Sequence, residues 1–132
     1  MSKPDEALAD RLATVAASAV EVGIGNRPTV AAALRDRGVE VTATDIERRS
    51  VPEGVEFVLD DVTDPEPAVY EGTDVVYARN LPPELHRPVR SVARTVGATC
   101  WFTTLGGDPP VVPVDPESLP GGVTLYRVTD RG

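Results

Sequence analysis

The chain has 132 residues, and its 21 Asp and Glu residues outnumber 13 Lys and Arg residues, which gives a formal net charge of -8 at pH 7. This length predicts one domain spanning residues 1–132, with enough chain to bury a core without disulfide or metal staples. The single cysteine excludes an internal disulfide, the single histidine argues against a zinc site, and the acidic balance argues against nucleic-acid binding through bulk charge.

The charged residues are typical of a protein adapted to high salt. Twelve of the 13 basic residues are arginines, and Lys3 is the remaining one. At molar salt the Debye length falls to about 3 Å, so exposed carboxylates hardly repel one another. We favour this halophilic interpretation over the alternative, an ordinary acidic protein from a GC-rich genome.

The N-terminal segment does not resemble a signal peptide, because Lys3, Asp5, Glu6 and Asp10 interrupt it. The most apolar stretch, residues 15–20, is far too short to span a membrane. The sequence therefore predicts a cytoplasmic protein with no membrane partner.

Helical and extended patterns alternate along the first half of the chain. The apolar stripe of Leu8, Leu12 and Val15 predicts an N-terminal amphipathic helix. The next patterns predict a strand, a helix and two more strands, over residues 19–22, 28–37, 39–44 and 55–59.

The second half continues the alternation. A strand is predicted at 74–78, and the spacing from Leu85 to Val96 predicts a helix in which Pro88 must lie in the first turn to avoid a kink. A fifth strand follows at 98–104. Residues 105–122 contain five prolines and four glycines, which predicts a segment that is mostly loop, before a last strand at 123–129.

Strands that alternate with helices predict a small doubly wound α/β fold, with a mostly parallel sheet and helices on both faces. Ligands of such sheets bind beyond the carboxyl ends of the strands, where the strand order reverses. The loops after the first four predicted strands are therefore the candidate site.

The first of these loops contains Gly23 and Gly25, which allow a tight turn and a close approach of the backbone to a ligand. Glu21 places a carboxylate within a strand that should be covered on both faces, which is costly without a partner. Asp45 ends the second strand, 20 residues after Gly25, where a carboxylate accepts hydrogen bonds from ribose hydroxyls. This pattern favours a nucleotide-type pocket over a purely structural turn.

The motif Glu21-x-Gly23-x-Gly25 followed by Asp45 resembles the first two motifs of Rossmann-like S-adenosylmethionine-dependent methyltransferases. The resemblance implies that the glycines line the methionine part of the cofactor and that Asp45 holds the ribose. It further implies that Asp60 or Asp61 contacts the adenine amino group.

Asn80-Leu81-Pro82-Pro83 is similar to the Asn-Pro-Pro-Tyr loop of amino-methylating members, which implies that Asn80 positions an acceptor nitrogen. Nearly the whole chain also resembles a small archaeal family of uncharacterised proteins with a methyltransferase-like Rossmann fold. The methyltransferase resemblance thus implies a domain that binds S-adenosylmethionine or a related adenosyl ligand and that transfers a methyl group if it is catalytic, whereas the likeness to the archaeal family brings no known activity.

Two departures leave other functions open. Arg27 stands where methyltransferases have a third glycine, so a non-catalytic interaction module with a degenerate pocket is the main alternative. An NAD-binding oxidoreductase is the other, although its fingerprint requires glycine where Pro28 stands. In that case Asp45 would hold the NAD ribose, and Arg48 or Arg49 could take a 2′-phosphate, but a solvated arginine pair is the favoured interpretation.

The crossover helix predicted after the fourth strand carries a basic stripe of Arg87, Arg90 and Arg94, which would suit an acidic protein partner or RNA phosphates if it is more than a solvated face. His86 beside it could act as a general base, but an exposed residue at the helix start is favoured. Cys100 is predicted to be a small buried side chain rather than a nucleophile.

Overall fold

The computed structural model describes residues 2–129, over which the chain forms four helices and seven strands. The helices are α1 (Lys3–Ala13), α2 (Thr29–Asp36), α3 (Pro67–Tyr70) and α4 (Pro83–Val96). The strands are β1 (Ser18–Val22), β2 (Glu40–Asp45), β3 (Val55–Leu59), β4 (Val75–Ala78), β5 (Thr99–Phe102), β6 (Val114–Leu119) and β7 (Val123–Val128).

All seven strands join one sheet in the order β3-β2-β1-β4-β5-β7-β6. The ladders among the first five strands are parallel, and β7 is antiparallel to both of its neighbours, β5 and β6. The strand order reverses between β1 and β4, so the loops that leave these two strands diverge at that point.

Helices cover both faces of the sheet. Neighbouring residues of a strand point to opposite sides, so each strand contributes to a core on either face. Ala19 of β1 packs in the core that contains Leu12 and Leu34, from α1 and α2. Val20, the next residue, packs in the second core with Val89 of α4. The predicted doubly wound α/β fold is confirmed.

Pro88 is the sixth residue of α4, not a first-turn residue as predicted. Pro83 already occupies the start of the helix, where its missing N–H costs nothing. The helix continues past Pro88 and ends at Gly97, whose φ of +75° is the left-handed conformation usual after a helix.

Two elements were missed by the sequence analysis. Strand β6 lies inside the segment 105–122, which was predicted mostly as loop, and its Pro116 is tolerated because β6 is an edge strand. Helix α3 was not predicted; it is a single turn whose cap is the Glu66 side chain, 3.4 Å from the Ala68 amide that donates to it. No helix among residues 2–129 is both long and apolar enough to cross a membrane.

Candidate functional site

The loops after β1 and β4 enclose a cleft of about 270 Å³ at the point where the strand order reverses. It is lined by Glu21, Gly23, Ile24, Gly25, Asn26, Arg27, Arg79 and Asn80. The structure therefore brings the glycine loop and Asn80 together, two features that are more than 50 residues apart in the sequence.

The glycine loop has the conformation that its two glycines predict. Gly23 and Gly25 have φ angles of +71° and +58°, which other residues rarely adopt. A Cβ atom at either glycine would meet no heavy atom within 4 Å, so the space in front of the loop is open. The Gly23 and Ile24 amides donate to the Thr44 carbonyl at 2.9 and 3.0 Å, which ties the loop to the end of β2.

Asp45 is 7% exposed and ties the same loop to the end of β2 through its side chain. Its Oδ2 accepts a hydrogen bond of 2.8 Å from the Gly25 amide, and its Oδ1 accepts one of 3.0 Å from the Glu47 amide. Asp45 is not itself among the residues that line the cleft; its carboxylate binds the lining residue Gly25 and has part of its accepting capacity already used.

Arg49 lies against Asp45, whereas the sequence analysis favoured a solvated Arg48–Arg49 pair. Its Nε lies 3.4 Å from Asp45 Oδ2, and its two terminal nitrogens contact Asn26 Oδ1 and Glu47 Oε2, each at 3.0 Å. The Arg49 side chain is only 25% exposed, while Arg48 is exposed as predicted. Three acceptors surround the guanidinium of Arg49 and keep it against the protein surface.

Glu21 is 1% exposed, and its buried carboxyl has the partner that its position requires. The Tyr77 hydroxyl, from the neighbouring strand β4, donates a hydrogen bond of 2.6 Å to Glu21 Oε1. Burial raises the pKa of Glu21 to about 7, against the lowering effects of the Tyr77 hydrogen bond and of the Arg79 charge. Burial and the adjacent carboxyl also raise the pKa of Tyr77 well above its usual value.

Arg79 is a cleft residue that the sequence analysis missed. Its guanidinium pairs with Asp5 Oδ1 at 2.7 Å and donates to the Arg27 carbonyl at 3.1 Å. Asp5 also accepts a hydrogen bond of 2.7 Å from the Thr29 hydroxyl, so α1, α2 and the loop after β4 are joined at this rim. The available signal was its position directly after a buried strand, next to Asn80.

Asn80 is the one residue other than glycine, among those described, whose backbone φ is positive, at +52°. Its backbone amide donates to the Thr103 hydroxyl at 2.9 Å, and the Leu81 backbone amide donates to the Thr103 carbonyl at 2.8 Å. These bonds hold the loop after β4 against the end of β5. Non-glycine residues in this conformation are uncommon and concentrate at functional sites.

Asp60 and Asp61 follow β3 and differ in how far their carboxylates are already engaged. Asp60 accepts hydrogen bonds from the Glu66 amide at 3.0 Å and from the Tyr70 hydroxyl at 2.7 Å. Asp61 is exposed, and its Oδ1 accepts bonds from the amide and hydroxyl of Thr63, which lower its pKa. Asp60 thus holds its own loop together, and Asp61 has the more accessible carboxylate.

Two large apolar side chains are exposed beside these carboxylates, which the sequence analysis also missed. Ile46, directly after Asp45, is 71% exposed, and Leu59, directly before Asp60, is 55% exposed. Asp45 and Leu59 are register partners in the β2–β3 ladder, so the strand ends lie side by side. One exposed apolar side chain therefore adjoins the acidic residue at the end of each of these two strands.

His86 is fully buried, so its prediction as an exposed residue is wrong. Its Nε2 lies 2.9 Å from the Leu81 carbonyl, its Nδ1 accepts a bond of 3.2 Å from the Val111 amide, and its ring packs on Phe102. With both ring nitrogens engaged, His86 fastens the segment after β5 to α4 and has no nitrogen left for a general base. Cys100 is buried, as predicted.

The basic stripe lies away from the glycine loop. Arg90 and Arg94 line a cavity of about 470 Å³ at the amino end of β5, and Arg87 lies outside that lining. Binding of an acidic partner by this stripe stays a prediction. Among residues 2–129, no group of three His, Cys, Asp or Glu side chains is arranged to hold a metal ion.

Comparison with known sequences gives one consistent family. Residues 6–127 match the model of a family described as Uncharacterised protein family (UPF0146). A UPF0146 protein of Halobacterium salinarum is 60% identical over 111 residues, which cover 84% of this chain and 86% of that protein. A UPF0146 protein of Archaeoglobus fulgidus is 48% identical over 89 residues, covering 67% of this chain and 68% of the other.

Solved structures of methyltransferases share the fold. An RNA methyltransferase from Salinibacter ruber, in complex with S-adenosyl-L-homocysteine, superposes with a TM-score of 0.62 at 20% identity, covering 100% of this chain and 95% of that one. The glycopeptide N-methyltransferase MtfA, complexed with the same ligand, gives a TM-score of 0.58 at 14% identity, covering 93% and 72%. The architecture is that of the methyltransferase-like Rossmann fold.

Proposed function

This chain belongs to the UPF0146 family, and we propose that it binds S-adenosylmethionine or a closely related adenosyl ligand and transfers the methyl group of that ligand. One observation carries the proposal: the open glycine loop and Asn80 line a single cleft where the strand order reverses, and Asp45 binds the Gly25 amide of that loop. Ligands of open α/β sheets bind at this place. Proteins with this fold have been solved with S-adenosyl-L-homocysteine bound.

The methionine end of the ligand would lie against Glu21, Gly23 and Gly25. The open space in front of both glycines fits this assignment, because a ligand can approach the backbone there without displacing a side chain. Glu21 and Arg79 line the same cleft and offer one acidic and one basic group to the amino and carboxylate groups of an amino acid.

The adenosine end would lie along the ends of β2 and β3. Asp45 would accept hydrogen bonds from the ribose hydroxyls. Asp61 suits the adenine amino group better than Asp60, whose two oxygens already bind Glu66 and Tyr70. The exposed Ile46 and Leu59 give an apolar surface for the flat base, which would remove them from water.

S-adenosylmethionine, when bound, supplies an electrophilic methyl group, and the protein then has mainly to orient the acceptor. Asn80 would do so: it lines the glycine cleft and also a neighbouring cavity of about 340 Å³ beside Thr103, Thr104 and Tyr126. Its side-chain amide both donates and accepts hydrogen bonds, so it can hold an acceptor nitrogen where the two spaces meet.

The sheet order favours this function over the dinucleotide alternative. Dinucleotide-binding Rossmann folds have the order 3-2-1-4-5-6, whereas here β7 is inserted antiparallel between β5 and β6. A ligand-binding measurement distinguishes the proposed function from the interaction-module alternative, because a degenerate pocket would not bind the adenosyl ligand.

Isothermal titration with S-adenosylhomocysteine and S-adenosylmethionine in molar KCl tests the proposal. We expect saturable binding with one ligand per chain, weakened by Asp45→Asn and unaffected by Asp108→Asn, a change in an exposed loop. Absence of heat at millimolar ligand, or equal binding by Asp45→Asn, would show that this cleft is not an adenosyl site.

The high-salt interpretation of the composition is also part of the proposal. The net charge of -8 and the single lysine support it, together with a relative in Halobacterium salinarum that is 60% identical. Screening of exposed carboxylates by salt would then favour the folded state.

A further inference from the structure

Arg49 occupies the space in which the proposed function places the ligand's ribose. Its side chain extends from the loop after β2 to Asn26 in the glycine loop, and its Nε lies 3.4 Å from Asp45 Oδ2. We propose that Arg49 competes with the ribose for Asp45 and thereby sets the affinity of the site and its selectivity for a ribose diol. This inference rests on the proposed adenosyl function.

The Asp45 carboxylate can accept only a limited number of hydrogen bonds. Each carboxylate oxygen accepts about two hydrogen bonds. Oδ2 already accepts the Gly25 amide and faces the Arg49 Nε, while Oδ1 accepts only the Glu47 amide. One accepting position therefore stays open, on Oδ1, and it can serve one hydroxyl group but not the two hydroxyls of a ribose.

Arg49 is the partner that can leave Oδ2. The Gly25 amide is fixed in the backbone and donates at 2.8 Å, whereas Arg49 Nε lies 3.4 Å away, buried and without any acceptor at hydrogen-bond geometry. The contact with Glu47 is weakly anchored, because the Glu47 side chain is 68% exposed and its pair with Arg49 is screened by salt.

The closing experiment compares the wild-type protein with Arg49→Ala and with Arg48→Ala, a matched control at the exposed neighbouring arginine. Titration with S-adenosylhomocysteine is run at about 0.15 M and about 1 M KCl, where the Debye length is about 8 Å and about 3 Å respectively. We expect Arg49→Ala to bind about three- to tenfold more tightly than wild type at the lower salt, a gain of about 0.65 to about 1.4 kcal/mol, because the pairing of Arg49 with Asp45 no longer has to be broken. The gain should shrink at the higher salt, and Arg48→Ala should match wild type.

A second pair of ligands separates competition from a general effect on the loop. Adenosine presents two ribose hydroxyls and 2′-deoxyadenosine presents one, which the open position on Oδ1 can accept. Arg49→Ala should therefore tighten adenosine but leave 2′-deoxyadenosine unchanged. Glu47→Gln, which keeps Arg49 and the Glu47 amide in place, should give a smaller gain in the same direction.

Each outcome has a distinct meaning. Equal or weaker binding of S-adenosylhomocysteine by Arg49→Ala would overturn the competition while leaving the adenosyl function intact, and so would an equal gain for both nucleosides. No binding by any of these proteins would overturn the adenosyl function itself, and the competition with it. Binding by Arg49→Ala alone would support both.

Discussion

The Tyr77 hydroxyl donates its hydrogen bond to Glu21 Oε1 inside the sheet, with both side chains 1% exposed. The bond crosses from β4 to β1, the two strands whose following loops form the cleft. A carboxyl group is thus kept beneath the glycine loop by a phenol that satisfies it, so this site has a polar floor within an apolar sheet.

Glu21 should make stability depend on pH in a defined window. The pKa of Glu21 in the folded protein, about 7, lies above the ordinary value of 4.5. Its contribution to the free energy of unfolding is therefore fully present below about pH 4.5 and is lost as the pH rises through 7. The loss is on the order of 3 kcal/mol between those limits. Urea unfolding of wild type and Glu21→Gln, measured from pH 5 to 8, should show this slope in wild type only.

The control for that experiment is Asp108→Asn, an exposed loop change that should keep the wild-type slope. Parallel pH profiles for wild type and Glu21→Gln would show that the Glu21 carboxyl does not carry the dependence.

Removing the phenol should destabilise the protein most at the higher pH. Tyr77→Phe deletes the bond that lowers the Glu21 pKa, so the pKa should rise further and the ionised form should lose its buried partner. Loss of a hydrogen bond to a buried polar group costs about 1–3 kcal/mol. Urea midpoints at pH 6 and pH 8 should show the larger decrease at pH 8; an equal decrease at both would contradict a role through Glu21.

The sequence predicts those features of the fold and the site that depend on contacts between residues close together in the chain. Alternating helical and extended patterns are local, so the parallel strands, the glycine loop and the positions of Asp45 and Asn80 were predicted. Strand β6 was missed because Pro116 and the surrounding glycines are local signals for a loop, while its pairing with β7 is a tertiary property.

The misjudged side chains are those whose partners come from other elements. Arg79 pairs with Asp5, 74 residues earlier, and His86 bonds to the Val111 amide of a loop with no local pattern. The prediction that Arg49 is exposed to solvent followed from the general exposure of arginine side chains. Only the folded chain brings Asn26 within reach of it.

The backbone of Asn80 gives a prediction that is independent of any ligand. At φ +52° a Cβ is disfavoured by about 1 kcal/mol or more, and Asn tolerates this conformation better than most residues. Asn80→Gly should therefore match or exceed wild-type stability, whereas Asn80→Ala should lose about 1 kcal/mol. Thermal unfolding of the three proteins tests this order; if alanine were as stable as glycine, the backbone there would not be constrained.

Salt should stabilise the fold through its surface charge. With a net charge of -8, raising KCl from about 0.15 M to about 1 M shortens the Debye length from about 8 Å to about 3 Å and should raise the melting temperature. Most of the gain should appear below 1 M, where screening changes fastest, and NaCl at the same ionic strength should give a similar gain because screening depends on ionic strength. A melting temperature that is flat or falls with KCl would contradict adaptation of this surface to salt.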